Sequence, residues 1–217
     1  MLVYHNYEQI RRILESNKSY GEHGKQFEDN YYFQRGKAAL INERMGEAEE
    51  YFSRINIRTR GQKRLVLKYL IPCKIFLGKM FEGNTEDETE DFSEYKPIIR
   101  SLINANFQEY DEAIKKYQKL WIKRGIYLVM DQLRVIIWRN LLKKVHRVMG
   151  DKLNFDDILK AVKFSNGEEE MGEIVCIVSN LIHDGYIKGY IFHDEGRKFL
   201  VLKKGGQAFP PLSKIYE

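Results

Sequence analysis

The chain has 217 residues, with 36 Lys and Arg against 31 Asp and Glu, a formal net charge of +5 and a sequence pI near 9.0. Its 13% aromatic content and only 4 Pro argue for a folded chain rather than a disordered polymer. No apolar run approaches bilayer length, and the opening MLVYHNYEQIRRIL lacks the basic-then-apolar plan of a secretory signal, so no membrane partner is expected.

Residues 1–15 can form a short amphipathic helix with Tyr7, Ile10 and Leu14 on one side, and residues 16–25 read as a polar loop. A helix over Asn30–Glu43 and a second over Glu47–Ile55 follow, separated by a turn at Arg44–Gly46. Small residues at Gly36, Ala38, Ala39 and Ala48 let the two approach closely, in the manner of a tetratricopeptide hairpin. A weaker echo of this hairpin occurs in SLINANFQEYDEAIKKYQKLW.

Between Ser53 and Phe81 there is no acidic residue, while Arg54, Arg58, Arg60, Lys63, Arg64, Lys68, Lys74 and Lys79 are all present. Two readings stay open. One is a helix over Gly61–Gly78 whose basic side chains snorkel around a core including Leu65, Leu67, Tyr69, Leu70, Phe76 and Leu77, with a kink at Pro72. The other is a surface for an acidic partner. Residues Glu82–Glu94 are the reverse, a carboxylate run without a base. It reads as a solvated loop, with cover for a basic patch in cis as the alternative; the residue order of a calcium loop is absent.

Helices are then expected over Tyr95–Ala105, Phe107–Arg124 and Ile126–Met149. The last should bury Leu128, Leu133, Ile136, Ile137, Leu141, Val145 and Val148. Its other side carries Arg139, Lys143 and Arg147 at i, i+4, i+8.

From Phe155 the pattern changes. FDDILKAVKF and MGEIVCIVSNLIHDG are two amphipathic helices, the second stopped at Gly185. Two β-type runs follow, Tyr186–Phe192 and Lys198–Leu202, joined by a turn in which Gly196 can supply a positive φ. Helix, helix and hairpin in this order make a winged helix, with β structure confined to residues 186–202 and room for one further short strand pairing near the second wing helix. The organisation is therefore mostly α: helical hairpin repeats over 1–149, a winged helix over 150–204 and a tail over 205–217. With no linker at Gly150, repeats and wing are expected to move as one body.

No catalytic constellation emerges. Phosphate-loop, dinucleotide and nucleophile-elbow motifs are absent, and the histidines, His5, His23, His146, His183 and His193, have no zinc spacing. Cys73 and Cys176 both sit in apolar patterns and read as buried thiols of a reducing intracellular compartment. No cofactor or metal is implied. The outward face of the second wing helix would carry Glu169, Glu170, Glu173, Cys176, Asn180 and His183, which phosphates would repel, so it is not expected to read a DNA groove. The bases Lys188, Arg197, Lys198, Lys203 and Lys204, with Arg139, Lys143 and Arg147, can instead track a nucleic-acid backbone or form a solvated face. Tyr190, Ile191 and Phe192 are consecutive apolar residues on a wing strand, so a partner subunit or the tail should cover one face.

Helical hairpins running without a linker into a winged helix resemble the PCI-domain family. The strings LIPCKIFLGKM (Leu70–Met80), WRNLLKKV (Trp138–Val145), SNLIHDGYIKGYI (Ser179–Ile191), GRKFLVLKK and FPPL (Phe209–Leu212) are similar to the PCI subunits of the TREX-two messenger-RNA export complex. The resemblance implies a non-enzymatic nuclear protein, associated with the nuclear pore and acting in export coupled to transcription. It would pair through its winged helix, with Tyr190, Ile191 and Phe192 as contacts, with a second PCI protein, the GANP/Sac-type scaffold. A small acidic Sem/DSS-type protein would lie along the repeats, where Arg58, Arg60, Lys63 and Arg64 supply charge. RNA or DNA would bind the wing without sequence preference. The competing reading is a purely structural PCI subunit of a proteasome-lid or signalosome-like assembly.

Overall fold

Two helices that meet through small and aromatic residues begin the described part of the chain. The computed structural model describes residues 22–79, 92–194 and 196–216, and these fall into two compact units, residues 1–81 with 216–217 and residues 82–215. The helix expected over 1–15 lies outside the described residues, as does most of the acidic run.

In the first unit, α1 (Glu22–Ile41) and α2 (Met45–Ser53) pair as a hairpin, and α3 (Arg60–Phe76) packs on them. α1 starts at Glu22, inside the stretch read as a loop. Gly36 is the reason the hairpin closes tightly: a Cβ there would lie 2.7 Å from the Phe52 ring. Phe33, Phe52 and Tyr69 then form an aromatic cluster, with Phe33 edge-on to Tyr69 at 5.4 Å. A capping box fixes the start of α3, where Thr59 Oγ1 accepts from the Gln62 amide at 3.2 Å and Gln62 Oε1 accepts from the Thr59 amide at 3.3 Å. Pro72 is buried within α3. Leu65, expected in the core, is 45% exposed because the buried stripe of α3 begins at Val66.

The second unit opens with a 3₁₀ turn, Ser93–Tyr95, then α4 (Lys96–Asn104), α5 (Phe107–Arg124), α6 (Tyr127–Gln132) and α7 (Arg134–Met149). Glu94, read as part of a solvated run, is buried, and its carboxylate accepts from Arg124 at 2.6 Å. The expected helix over 126–149 is broken at Leu133. The buried Tyr110 hydroxyl lies 2.5 Å from the Met130 carbonyl and 2.8 Å from that of Asp131, so its one proton is shared between acceptors that a continuous helix would use for residues 134 and 135. Burial pushes the Tyr110 phenol far up, which keeps it a donor. The break leaves Leu128 72% exposed, and Val148 extends past the last packed turn of α7; both were expected inside.

Past Gly150 come β1 (Lys152–Asn154), α8 (Phe155–Phe164), α9 (Met171–His183), β2 (Gly189–Asp194) and β3 (Arg197–Leu202). β1 is a further short strand outside the 186–202 interval, and it lies directly before the first wing helix rather than near the second. It pairs antiparallel with β3, giving the order β1-β3-β2. Gly196 turns the hairpin at φ +81°. Gly189 admits the β3 backbone, since a Cβ there would lie 2.5 Å from the Val201 carbonyl oxygen. Leu153, Phe155, Ile158, Val162, Ile174, Val178, Leu181, Leu200 and Leu202 form the winged-helix core.

The helices of the second unit that precede Gly150 are welded to this core. The Phe107 ring packs tilted against Trp138 with centroids 4.9 Å apart, and its amide donates to the Ser165 carbonyl at 3.0 Å. Arg134 bridges Asp111 and Glu169, the latter at 2.9 Å, with its guanidinium 5.4 Å from the centre of the Phe107 ring. The expected division at 149/150 therefore falls inside one compact unit. Among the described residues no helix is long and apolar enough to cross a membrane.

Candidate functional site

The pleat of the three-stranded sheet decides which wing residues act together. Along a strand, alternate side chains take opposite faces, and directly paired residues share one. Ile191 pairs with Leu200, which is fully buried, so Ile191 turns toward the helices. Tyr190 pairs with Val201 and Phe192 with Phe199 on the other face, where Tyr190 is 59% and Phe192 44% exposed. The apolar triplet is thus split: Ile191, part-buried, belongs to the inner side, and Tyr190 and Phe192 to the outer. The tail does not cover the outer aromatics; it packs on α7.

The basic candidates sort by the same rule. Arg197 and Lys203 alternate with Phe199 and Val201 on the outer face, and Lys188 continues the ladder beside Lys203, whose amide donates to the Lys188 carbonyl at 2.9 Å. Lys198 and Lys204 have the opposite parity. Lys152, which sequence reasoning missed, pairs with Val201 and sets its ammonium 4.1 Å from the centre of the Phe199 ring. The missed signal was the short alternation Lys152-Leu153-Asn154, where Leu153 is buried and the Asn154 side chain caps α8 by accepting from the Asp156 amide at 3.0 Å. The outer face therefore carries Lys152, Lys188, Arg197 and Lys203 around Tyr190, Phe192 and Phe199. Asp194, opposite Arg197, is its one acid among the described residues.

The α7 stripe is graded rather than uniform. Arg139, expected on a solvated face, is 5% exposed. Its guanidinium donates to the Pro210 carbonyl at 2.6 Å and lies 5.9 Å from the centre of the Phe209 ring, so it clamps the tail. His146 closes on Phe209 from two turns further along α7 at 5.6 Å and meets Asp151 at 2.9 Å. Burial, with the cations of Arg139 and Arg147 alongside, holds the Lys143 ammonium below its ordinary range. Arg147 is exposed. The tail connects this stripe to the sheet, because the Lys188 amide donates to the Ala208 carbonyl at 2.8 Å, two residues before Pro210.

The acidic start of α9 is structural. Glu169 turns in to Arg134, correcting the outward orientation expected for it, and the Glu173 carboxylate accepts from the Glu170 amide at 2.9 Å as a helix cap. Cys176, expected buried, is exposed, while Cys73 is buried, its thiol pushed up by desolvation. In the first unit, Arg58 lies 3.7 Å from the Asp29 carboxylate, Arg54 pairs with Glu50 and Lys79 with Glu49. Arg60, Lys63 and Arg64 are exposed on the first two turns of α3. No group of His, Cys, Asp and Glu among the described residues is arranged to hold a metal.

Residues 114–199, from α5 into β3, match the PCI domain. The chain is 33% identical over 186 residues to PCI domain-containing protein 2 of Xenopus laevis, covering 83% of this chain and 46% of that protein. Against PCI domain-containing protein 2 of Danio rerio it is 30% identical over 210 residues, covering 94% of this chain and 52% of the relative. Enhanced ethylene response protein 5 of Arabidopsis thaliana is 26% identical over 197 residues, covering 84% of this chain and 46% of its own length. The chain thus spans about half the length of the curated relatives it matches. Helical hairpin, helical bundle and winged helix, with the domain match running through the last two, lead to one assignment: the chain belongs to the PCI-domain family.

Proposed function

We propose that this PCI-domain protein is a non-enzymatic scaffold and nucleic-acid-binding adaptor in nuclear messenger-RNA export coupled to transcription. The observation that carries the reading is the basic outer face of the winged helix, where Asp194 is the one acid among the described residues. Among the described residues, Lys188, Arg197 and Lys203 have no carboxylate within ion-pair distance. Such a surface attracts phosphate backbones irrespective of sequence and releases counterions on binding. In this reading a second PCI protein of the GANP/Sac type docks on the winged helix, and a small acidic Sem/DSS-type protein lies along the first unit near Arg58, Arg60, Lys63 and Arg64. The assembly works at the nuclear pore. The open outer edge of β2 supports protein docking, since an edge strand offers unpaired backbone groups.

Purification of the tagged protein from its own cells, before and after nuclease treatment, tests this. Co-purification of a second PCI chain together with polyadenylated RNA supports it. A second PCI chain without any nucleic-acid affinity would favour the structural-subunit reading, which draws on the inward placement of Arg139 and the partial burial of Lys143.

A further inference from the structure

Resting on the nucleic-acid reading above, we propose that the outer face of the β1-β3-β2 sheet is a stacking platform for single-stranded nucleic acid. Three aromatics share this face at fixed register. Tyr190 and Phe192 stand two residues apart on β2, and Phe199 stands beside Phe192 on β3. Two of them present much of their surface to solvent, with Tyr190 at 59% and Phe192 at 44%. Cations frame them: Lys152 over the Phe199 ring, Lys188 and Lys203 at one end, Arg197 at the other. Flat apolar rings for bases, interleaved with lysines for phosphates, are the two components of sequence-tolerant single-strand binding.

The same face suits a protein partner less well. Cores of protein interfaces are depleted of lysine. Here Lys152 sits against the central aromatic, so docking an apolar protein surface would desolvate its ammonium. A duplex is disfavoured for a different reason: its bases are already stacked, and the rings would gain nothing from it. The platform therefore distinguishes strandedness, while the charges alone would not.

The test uses the full chain, labelled oligouridine and a labelled RNA duplex of equal length, followed by fluorescence anisotropy across a salt series. The parent is expected to prefer the single strand. Tyr190→Ala with Phe192→Ala should weaken oligouridine binding at least about tenfold, the lower end for lost base–aromatic stacking. Duplex binding and the salt slope should stay as in the parent, because no cation is removed. The aromatic-preserving pair Tyr190→Phe with Phe192→Tyr should bind like the parent, and thermal melts should match throughout, since both sites are exposed. If the alanine variant binds oligouridine as the parent does, the platform is wrong and the charge-based reading survives. If the parent binds neither probe, both fall. If the variant keeps oligouridine binding but loses its co-purifying protein, the face is a protein interface instead.

Discussion

Two basic regions of this protein look alike in sequence and differ in structure. Residues 53–81 are free of acid, and the wing is merely lysine-rich. In the first unit several of the charges are answered by carboxylates outside that stretch: Asp29 near Arg58 and Glu49 at Lys79, both distant in sequence, and Glu50 at Arg54 one turn away. On the wing, the pleat gathers Lys152, Lys188, Arg197 and Lys203 on one face with Asp194 as the sole acid among the described residues. Local charge density along the chain is therefore a poor guide to potential. What counts is which acids the fold returns to the same surface.

The largest effect should come from breaking that contrast. Lys152→Gln, Lys188→Glu and Lys203→Glu together should weaken oligouridine binding at least about tenfold and flatten the log-affinity against log-salt slope by about 2, at ~0.7 per lost single-strand contact. Arg58→Glu, Arg60→Glu and Lys63→Glu should leave that slope unchanged. Equal losses from both sets, measured by anisotropy, would erase the distinction.

A second comparison sets part-buried pairing against surface pairing. Arg134→Ala strips Asp111 and the largely enclosed Glu169 of their shared cation, and should cost about 2 kcal/mol by denaturant titration. Removing Arg54 from its exposed pair with Glu50 should cost no more than about 0.5 kcal/mol in the same assay.

The smallest effect concerns Lys143. Its folded-state proton affinity is lowered by burial and by Arg139 and Arg147, so the unfolded chain holds this proton more tightly. The charged form is therefore a cost to folding at neutral pH. That cost is relieved as pH rises from the lowered folded value toward the ordinary 10.5. Lys143→Met should raise stability at pH 7 by a few tenths of a kcal/mol, on the order of other substitutions near a surface. It should also remove this group's contribution to the gain at alkaline pH. Thermal melts at pH 7 and pH 9.5 check both signs.

The sequence by itself determined the local elements. Periodicity placed α5 and both wing helices, and Gly196 placed the hairpin, because amphipathic spacing and φ preference act within a few residues. What only the tertiary structure decided depends on residues far apart meeting. Tyr110 broke the helix at Leu133 by taking two carbonyls from another element. Pro210 and Phe209 drew Arg139 out of an evenly spaced basic stripe. Three residues at Lys152–Asn154 became a strand because β3 offered an edge, and with them Lys152 joined the candidate site. Strand register, set by such pairing, separated Ile191 from Tyr190 and Phe192, and a shift of one residue would have exchanged their faces.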